Sequence, residues 1–422
     1  MGIPYYVASL LRTHKNIQKQ VGNAPLEVDV LGIDFNCFIH TYLDPKNPIG
    51  SIVLALNKLL TETVRATDVY IAFDGLVPYS KIVQQRYRRF RIPDGPAPFD
   101  KHQISPGTPF MTELKTTLEL IFPNVILSGT DEPGEGEHKI FQWLRRMEES
   151  ADRARICIYG LDADLVLIAV AQRSLGHIQL LREDKDGGFN TFSIPELVKA
   201  LPLDPDLYVQ MCIMCFGNDF MPNLAMFSLR EEGYNRAIRY MQMQDLTLAA
   251  KDETPLLIKR AKAEDRRIVA TDGHALETRF GVNQMDGILD WEPVVYAFWK
   301  TFEWTLHYFK TSEVLDWCWY YPYPDAPLVK TLVEYPRYAG TDFAWPDWKA
   351  PYTIADQLSF ILPSESLSMT PVRPRYTDEM YDEELETRHP WMKRYKWECD
   401  PYISLPWDPA RPLTSVSAVR VR

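Results

Sequence analysis

Short runs of consecutive apolar residues that close on an aspartate recur along this chain, and they restrict its fold more than any other feature. VLGIDF closes on Asp34, VYIAFDG on Asp74, and ICIYGLDADL on Asp162 and Asp164. A run that is apolar at every position, not at every second one, belongs to a strand covered on both faces. Segments of helical period stand beside the runs: SIVLALNKLLTETVRA between the first two, GEHKIFQWLRRMEE before the third, DLVLIAVAQR after it. NVILSG reads as one further strand. This alternation predicts an α/β fold with a mainly parallel central sheet and helices on both faces. In such sheets ligands gather beyond the carboxyl ends of the strands.

Three further acidic residues join these. Asp219 in CFGNDFMP reads as another strand end, and Glu135 and Glu137 in GEGEHKI open a helix. Carboxylates gathered at one end of a packed sheet repel one another and resist desolvation. Divalent cations remove that objection, and carboxylate oxygens are the ligands that Mg²⁺ or Mn²⁺ prefers. Competing roles exist for single residues. One Glu complements a helix N-terminus, Asp162 could cap the following helix, and Asp34 or Asp219 alone fits a turn. None of these accounts for two alternating carboxylates set between glycines, which permit close approach. The chain therefore reads as a metal-dependent enzyme.

In SKIVQQRYRRFR, Lys81, Gln85, Arg88 and Arg89 fall at i, i+4, i+7 and i+8 of a helix and so share a face. Cations and an amide converging just after Asp74 suit a terminal phosphate. A solvated basic face is the usual reading of such a run, and the neighbouring carboxylates favour the pocket. His40, in FNCFIHTY, is of a kind that more often sits satisfied in a core. Trp317, Trp319, Tyr320, Tyr321 and Tyr323 form a dense aromatic block. It reads either as an interdomain core or as a platform on which bases stack, at roughly 1–3 kcal/mol each.

Composition narrows the partners. Hydrophobic content of 46% and charged content of 24% are globular values. A net charge of −11 means that any nucleic acid must be held by a local basic patch. No apolar run reaches the roughly 20 residues that a bilayer requires, so no membrane is expected. The opening segment reads as an amphipathic helix and not a signal, and Tyr6 speaks against the myristoylation that Met1-Gly2 would permit. The cysteines Cys37, Cys157, Cys212, Cys215, Cys318 and Cys399 are scattered through mostly apolar runs. This fits reduced thiols in a cytoplasmic protein. Cys212-Ile-Met-Cys215 lacks a second Cys/His pair and reads as core helix. The expected organisation is an α/β catalytic core over 1–225, a helical segment over 226–310, and an aromatic and proline-rich region over 311–422 that packs on the core.

Taken in order, MGIPYY, GIDFNCFIH, VYIAFDG, KIVQQRYRRF, ISPGTPFM, PGEGEHKI, YGLDADLVLIA, FGNDFMP and WCWYYPYPDAP closely resemble the XRN family of 5′→3′ exoribonucleases. A weaker likeness continues in DQLSFILPSES and WECDPYISLPWD. The resemblance implies a fold like that of the PIN and flap nucleases. It also implies two Mg²⁺ ions, with Mn²⁺ as the substitute, on Asp34, Asp74, Glu135, Glu137, Asp162, Asp164 and Asp219. Lys81, counted with the catalytic set, would form the 5′-monophosphate pocket with Gln85, Arg88 and Arg89. His40 and one tryptophan, Trp317 or Trp319, would sandwich the first base. The implied activity is degradation of 5′-monophosphorylated single-stranded RNA to nucleoside 5′-monophosphates by a monomer acting in RNA decay.

The chain departs from the family in being much shorter, as would suit a virus or a divergent microbial eukaryote, and in carrying Pro324-Asp325 where the family has His. These departures bear on partner binding and processivity. Two alternatives stand beside this reading. A flap-type endonuclease shares the acidic layout but needs a glycine-rich helix-hairpin-helix, which is not seen after Asp219. A non-catalytic RNA-binding relative would have kept packed carboxylates at a cost to its stability.

Overall fold

Seven strands make one sheet: β1 (Gln18–Gln20), β2 (Leu26–Asp34), β3 (Val64–Ala72), β4 (Ile126–Ser128), β5 (Arg155–Tyr159), β6 (His177–Glu183) and β7 (Phe189–Ser193). They lie in the order β1-β7-β6-β5-β2-β3-β4. The pairs β2–β3, β2–β5, β3–β4 and β5–β6 are parallel, whereas β7 runs antiparallel to both β6 and β1. The computed structural model describes residues 3–362 apart from 4, 23, 91–97, 148–153, 185–186, 230–231, 264–289, 324 and 347–352. Cys399 and the WECDPYISLPWD likeness lie outside the described residues, as does most of the expected 311–422 region beyond residue 362.

The helices in chain order are α1 (Tyr6–Thr13), α2 (Phe35–Tyr42), α3 (Pro48–Lys58), α4 (Tyr79–Phe90), α5 (Pro109–Ile121), α6 (Gly136–Arg146) and α7 (Asp164–Ala171). There follow α8 (Ile194–Ala200), α9 (Pro205–Phe216), α10 (Gly233–Met243), α11 (Leu246–Ala263), α12 (Glu292–Thr311), α13 (Val329–Glu334) and α14 (Ile354–Ile361).

Successive strand residues point to opposite faces, and both faces here are apolar. Val30, Ile156, Ile158 and Leu180 enter one core with side chains of α1, α6, α7, α9 and α12. Leu31, Ile33, Cys157, Tyr159 and Leu181 enter a second core with α2, α3 and α5. Each such fully buried aliphatic residue contributes roughly 1.5–3 kcal/mol of transfer free energy. The uninterrupted apolar runs are therefore the signature of this doubly covered sheet. A third, smaller cluster joins Leu76, Val77 and Ile82 to Leu358, Ile361 and Leu362, seating α14 against α4. A capping box between Thr353 and Asp356 starts α14.

Three features differ from the sequence expectation. Asp219 follows helix α9, not a strand. A tight turn made by Gly217 (φ +68°) and the Asn218 side chain, which accepts from Phe220 N at 2.8 Å, places it. The helix read over SIVLALNKLLTETVRA stops short, passing through a π-turn at Leu59–Thr63. Val64, Arg65 and Ala66 instead pair with Leu26, Glu27 and Val28, so sheet pairing overrides local helical period. The antiparallel β6–β7 hairpin and β1 carry weaker apolar patterns and were not expected.

Among the described residues no helix is long and apolar enough to cross a membrane.

Candidate active site

Connections from β2 run to β3 on one side, and the chain later returns to β5 on the other. The ends of β2 and β5 therefore flank a topological switch point, where open α/β sheets form a crevice. The registers Asp34↔Ala72 and Ile33↔Tyr159 bring the three strand ends level. Asp34 is the last residue of β2, Asp74 stands two residues past β3, and Asp162 and Asp164 follow β5, the latter opening α7.

Local contacts fix several of the carboxylates. Asn36, in the first turn of α2, donates from Nδ2 to Asp74 Oδ2 at 3.0 Å and accepts from Asp74 N at 3.1 Å. Gly136 N donates to Asp74 Oδ1 at 2.8 Å. A Cβ on Gly136 would lie 2.9 Å from the Ala72 carbonyl oxygen and 2.9 Å from Asp34 Oδ1, so only glycine lets α6 start this close to the strand ends. Glu135 stands at the N-cap position of α6, its side chain making no capping hydrogen bond, and Glu137 lies in the first turn. Asp164 Oδ1 accepts from Ile3 N at 2.9 Å. Arg182 donates to the Leu161 carbonyl, bracing the loop that carries Asp162.

Lys81, from α4, stands among these acids. Its Nζ lies 2.6 Å from Glu135 Oε2 and 2.7 Å from Asp219 Oδ2. The other Glu135 oxygen, Oε1, accepts from the Tyr308 hydroxyl at 3.1 Å. Lys81, Asp34, Glu135, Glu137, Asp164 and Asp219 are all buried.

Burial drives the Asp34 carboxyl well above the usual carboxylate range, with Asp74 and Asp162 adding like charge. The Glu137 carboxyl rises for the same reason, aided by Asp162, Glu135 and Asp34. Asp164 is pushed up to about 8 by burial and by Asp219. Glu135 is raised by burial, with Lys81 opposing. Asp34, Glu135, Glu137 and Asp164 are thus each raised in part by other acids of the set, and the Lys81 ammonium opposes the rise at all four. Among the described residues no three of them stand as a ready-made cation cage. The donor set itself, carboxylates alone and short of positive charge, fits hard divalent cations.

The residues expected to hold a phosphate divide. Lys81 and Gln85 are buried, and Gln85 Oε1 has no hydrogen-bond partner among the described residues. Arg89 donates to the Ile104 carbonyl at 2.8 Å, tying α4 to the ISPGTP loop. The Arg88 side chain lies outside the described residues. His40 is exposed near the end of α2.

The two tryptophans part company. Trp317 packs against the cluster beneath α4, and its carbonyl accepts from Tyr79 N at 3.0 Å. Trp319 donates to Thr301 Oγ1 at 3.1 Å and meets Trp345 edge-on at 5.9 Å, with the Lys300 ammonium 4.8 Å from its ring centre. It is held by α12.

Several residues here were not singled out from sequence. Asn36 lies two positions from Asp34, a signal that could have found it. Lys139, in the same run as Glu135 and Glu137, donates to the Phe73 carbonyl at 2.8 Å and to the Gly129 carbonyl at 2.7 Å. Gln357 of α14 accepts from Val77 N at 2.9 Å and donates to the Gly75 carbonyl at 3.3 Å, pinning the turn after Asp74. Tyr308 sits in a helix of ordinary period and carried no signal.

Residues 1–96 and 92–184 match the family model described as the XRN 5′-3′ exonuclease N-terminus. The 5′-3′ exoribonuclease 1 of Saccharomyces cerevisiae is 30% identical over 230 residues, which cover 44% of this chain and 15% of that protein. Its human counterpart is 30% identical over 237 residues, covering 45% of this chain and 14% of that protein. The 5′-3′ exoribonuclease 2 of Eremothecium gossypii is 28% identical over 312 residues, covering 51% and 33% respectively. The matched sequence thus spans a third or less of each relative. Among solved structures, the catalytic core of Rad2 superposes with a TM-score of 0.42 at 17% identity, covering 85% of this chain and 94% of that one.

Proposed function

The chain belongs to the XRN 5′→3′ exonuclease family, and from that premise we propose that it is a metal-dependent 5′→3′ exoribonuclease. Its substrate is single-stranded RNA bearing a 5′-monophosphate, its product nucleoside 5′-monophosphates, and its setting RNA decay by a monomer in the cytoplasm. One observation supports the reading: the Lys81 ammonium lies 2.6 Å from Glu135 and 2.7 Å from Asp219, and burial with neighbouring acids raises Asp34, Glu137 and Asp164 beside the carboxyl ends of a parallel sheet.

Asp34, Asp74, Glu135, Glu137, Asp162, Asp164 and Asp219 would hold two Mg²⁺ or Mn²⁺ ions, which supply charge neutralisation and an activated water for in-line attack on the first internucleotide phosphate. The chain's own residues do the rest. Lys81, Gln85, Arg88 and Arg89 along α4 receive the terminal phosphate through charge-assisted hydrogen bonds. The buried inner end of that face, at Lys81 and Gln85, suits one phosphate better than a triphosphate or a cap. His40 and Trp317 take the first base between them. Trp317 is preferred to Trp319 because it lies against α4 whereas Trp319 is engaged with Thr301 and Lys300.

The test is end-labelled RNA, with 5′-monophosphate or 5′-triphosphate, incubated with the protein and Mg²⁺. Rapid release of nucleoside monophosphates from the first substrate alone is expected. Equal degradation of both, or ladders of internal fragments, overturns the directional reading. Cleavage of a branched DNA at its junction would favour the flap-type alternative. Replacing Asp162 and Asp164 together by Ala should abolish turnover and leave the fold intact.

A further inference from the structure

We propose that Tyr308 is a positioning residue for Glu135, and that a polar clip at the end of α12 holds it in place. This rests on the nuclease reading above and extends it to a helix beyond residues 1–184, the part matched by the family model.

A glutamate at a helix start has three side-chain torsions, and a ligand to a cation needs both oxygens directed. Here each oxygen of Glu135 has its own donor: Lys81 Nζ on Oε2 at 2.6 Å and the Tyr308 hydroxyl on Oε1 at 3.1 Å. An ionised carboxylate only accepts, so the phenol donates. Lys81 can leave for a phosphate or be displaced by a cation. Tyr308 is 1% exposed, with no such alternative partner in view.

What fixes Tyr308 is a set of contacts with a sequence logic. His138, Gln142 and Arg145 fall at i, i+4 and i+7 on α6 and so form one stripe facing α12. The His138 ring stacks on the Tyr308 ring with centres 3.6 Å apart and planes 20° from parallel, and its Nδ1 lies 3.2 Å from Ser312 Oγ. Gln142 donates to the Ser312 carbonyl at 2.6 Å, and Arg145 to the Lys310 carbonyl at 2.6 Å. From the end of α7, Gln172 donates to Ser312 Oγ and to the Phe309 carbonyl, both at 2.9 Å. Ser312 itself takes a left-handed conformation (φ 59°) and closes α12 by donating from N to the Tyr308 carbonyl at 2.8 Å. The clip satisfies the carbonyls that a helix end leaves bare and sets the height of Tyr308 above Glu135. Outer partners of metal-binding carboxylates typically change metal affinity or activity by 10–100-fold when removed.

The experiment uses the full chain and Tyr308→Phe, which keeps the ring and its stack on His138 and removes only the hydroxyl. Mn²⁺ binding is measured by calorimetry without RNA, and kcat and KM are measured on 5′-monophosphate RNA. Expected are Mn²⁺ binding and kcat each lowered about 10-fold, with KM for RNA unchanged. Tyr208→Phe is the control, since its hydroxyl meets Tyr6 and Tyr234 away from the acids. It should lower the melting temperature and leave Mn²⁺ binding alone. Mn²⁺ binding and kcat equal to the parent in Tyr308→Phe overturn the proposal, as does an equal loss of Mn²⁺ binding in Tyr208→Phe. A parent protein that neither binds Mn²⁺ nor degrades RNA overturns the nuclease reading, and this proposal with it.

Discussion

Helices α4 and α6 each bring one buried lysine to the same crevice, and the two ammonium groups keep opposite company. Lys81 of α4 lies between two carboxylates, Glu135 and Asp219, at 2.6 and 2.7 Å. Lys139 of α6 donates to two neutral carbonyls, those of Phe73 and Gly129, at 2.8 and 2.7 Å. A carboxylate pair accepts any cation of suitable size, so the place of Lys81 can pass to a metal ion and its ammonium to a phosphate. Carbonyls at the exits of β3 and β4 need directed N–H donors. Lys139 therefore holds the backbone from which Asp74 projects and takes no part in the charge exchange. In the proposed function, one residue type serves chemistry on α4 and scaffolding on α6.

The largest expected effect breaks the scaffold side of this contrast. Lys139→Met leaves two buried carbonyls without their donor, at about 1–3 kcal/mol for each group left unsatisfied. Melting temperature should fall strongly, and Mg²⁺ should not restore it, because no carboxylate has been freed. Recovery of the parent melting temperature on adding Mg²⁺ would place Lys139 with Lys81 after all. Activity on 5′-monophosphate RNA should fall with stability, since Asp74 loses its anchor.

Lys81→Met tests the other side and should cost less once an ion is supplied. In chelator, Glu135 and Asp219 lose their counter-charge, and breaking a buried pair by removing one partner typically costs about 3–5 kcal/mol. Mg²⁺ or Mn²⁺ should return most of that loss, seen as a larger ion-induced rise in melting temperature than in the parent. The preference for a 5′-monophosphate end should weaken, measured as the ratio of kcat/KM on monophosphate and triphosphate RNAs. An ion response no larger than the parent's would mean that Lys81 does not occupy a cation position.

How much of this was legible beforehand follows from which signals are local. The sheet and three of its acidic ends could be read because runs such as VLGIDF and ICIYGLDADL are apolar throughout, and only a doubly covered strand uses such a run. Glu135 and Glu137 were legible through their glycines, and Gly136 does approach Asp34 and Ala72 too closely for any side chain. Asp219 reads as a strand end because its tight turn resembles one in sequence, whereas the helix before it is defined by burial of both its faces. Trp317 and Trp319 could not be told apart two positions from one another. What separates them is long-range, α4 on one side and α12 on the other. Tyr308 was silent for the same reason: nothing in its own helix records that Glu135 lies opposite.

The smallest effect sharpens the comparison through pH. Asp164 is raised to about 8 by burial and Asp219, above its value in an unfolded chain, so the fold favours its protonated form. Its contribution to stability is complete below the unfolded value and is lost as pH rises toward 8. Lys139 is lowered to about 8 by burial, with Asp74, Glu132 and Asp131 opposing. Its fold favours the neutral amine, so its contribution is complete above the unfolded lysine value and is lost as pH falls through 8. In metal-free protein these two groups together place a minimum of stability near pH 8, with an acid arm owed to the carboxylates and a basic arm owed to Lys139. Divalent ions should flatten the acid arm, since they favour the charged carboxylates, and leave the basic arm in place. Melting temperature followed from pH 5 to 10 with and without Mg²⁺, in the parent and in Asp164→Asn, checks this. The substitution should reduce the acid arm alone. An acid arm unchanged by both Mg²⁺ and Asp164→Asn would show that the carboxylates do not carry it, and the division of labour between α4 and α6 would lose its electrostatic basis.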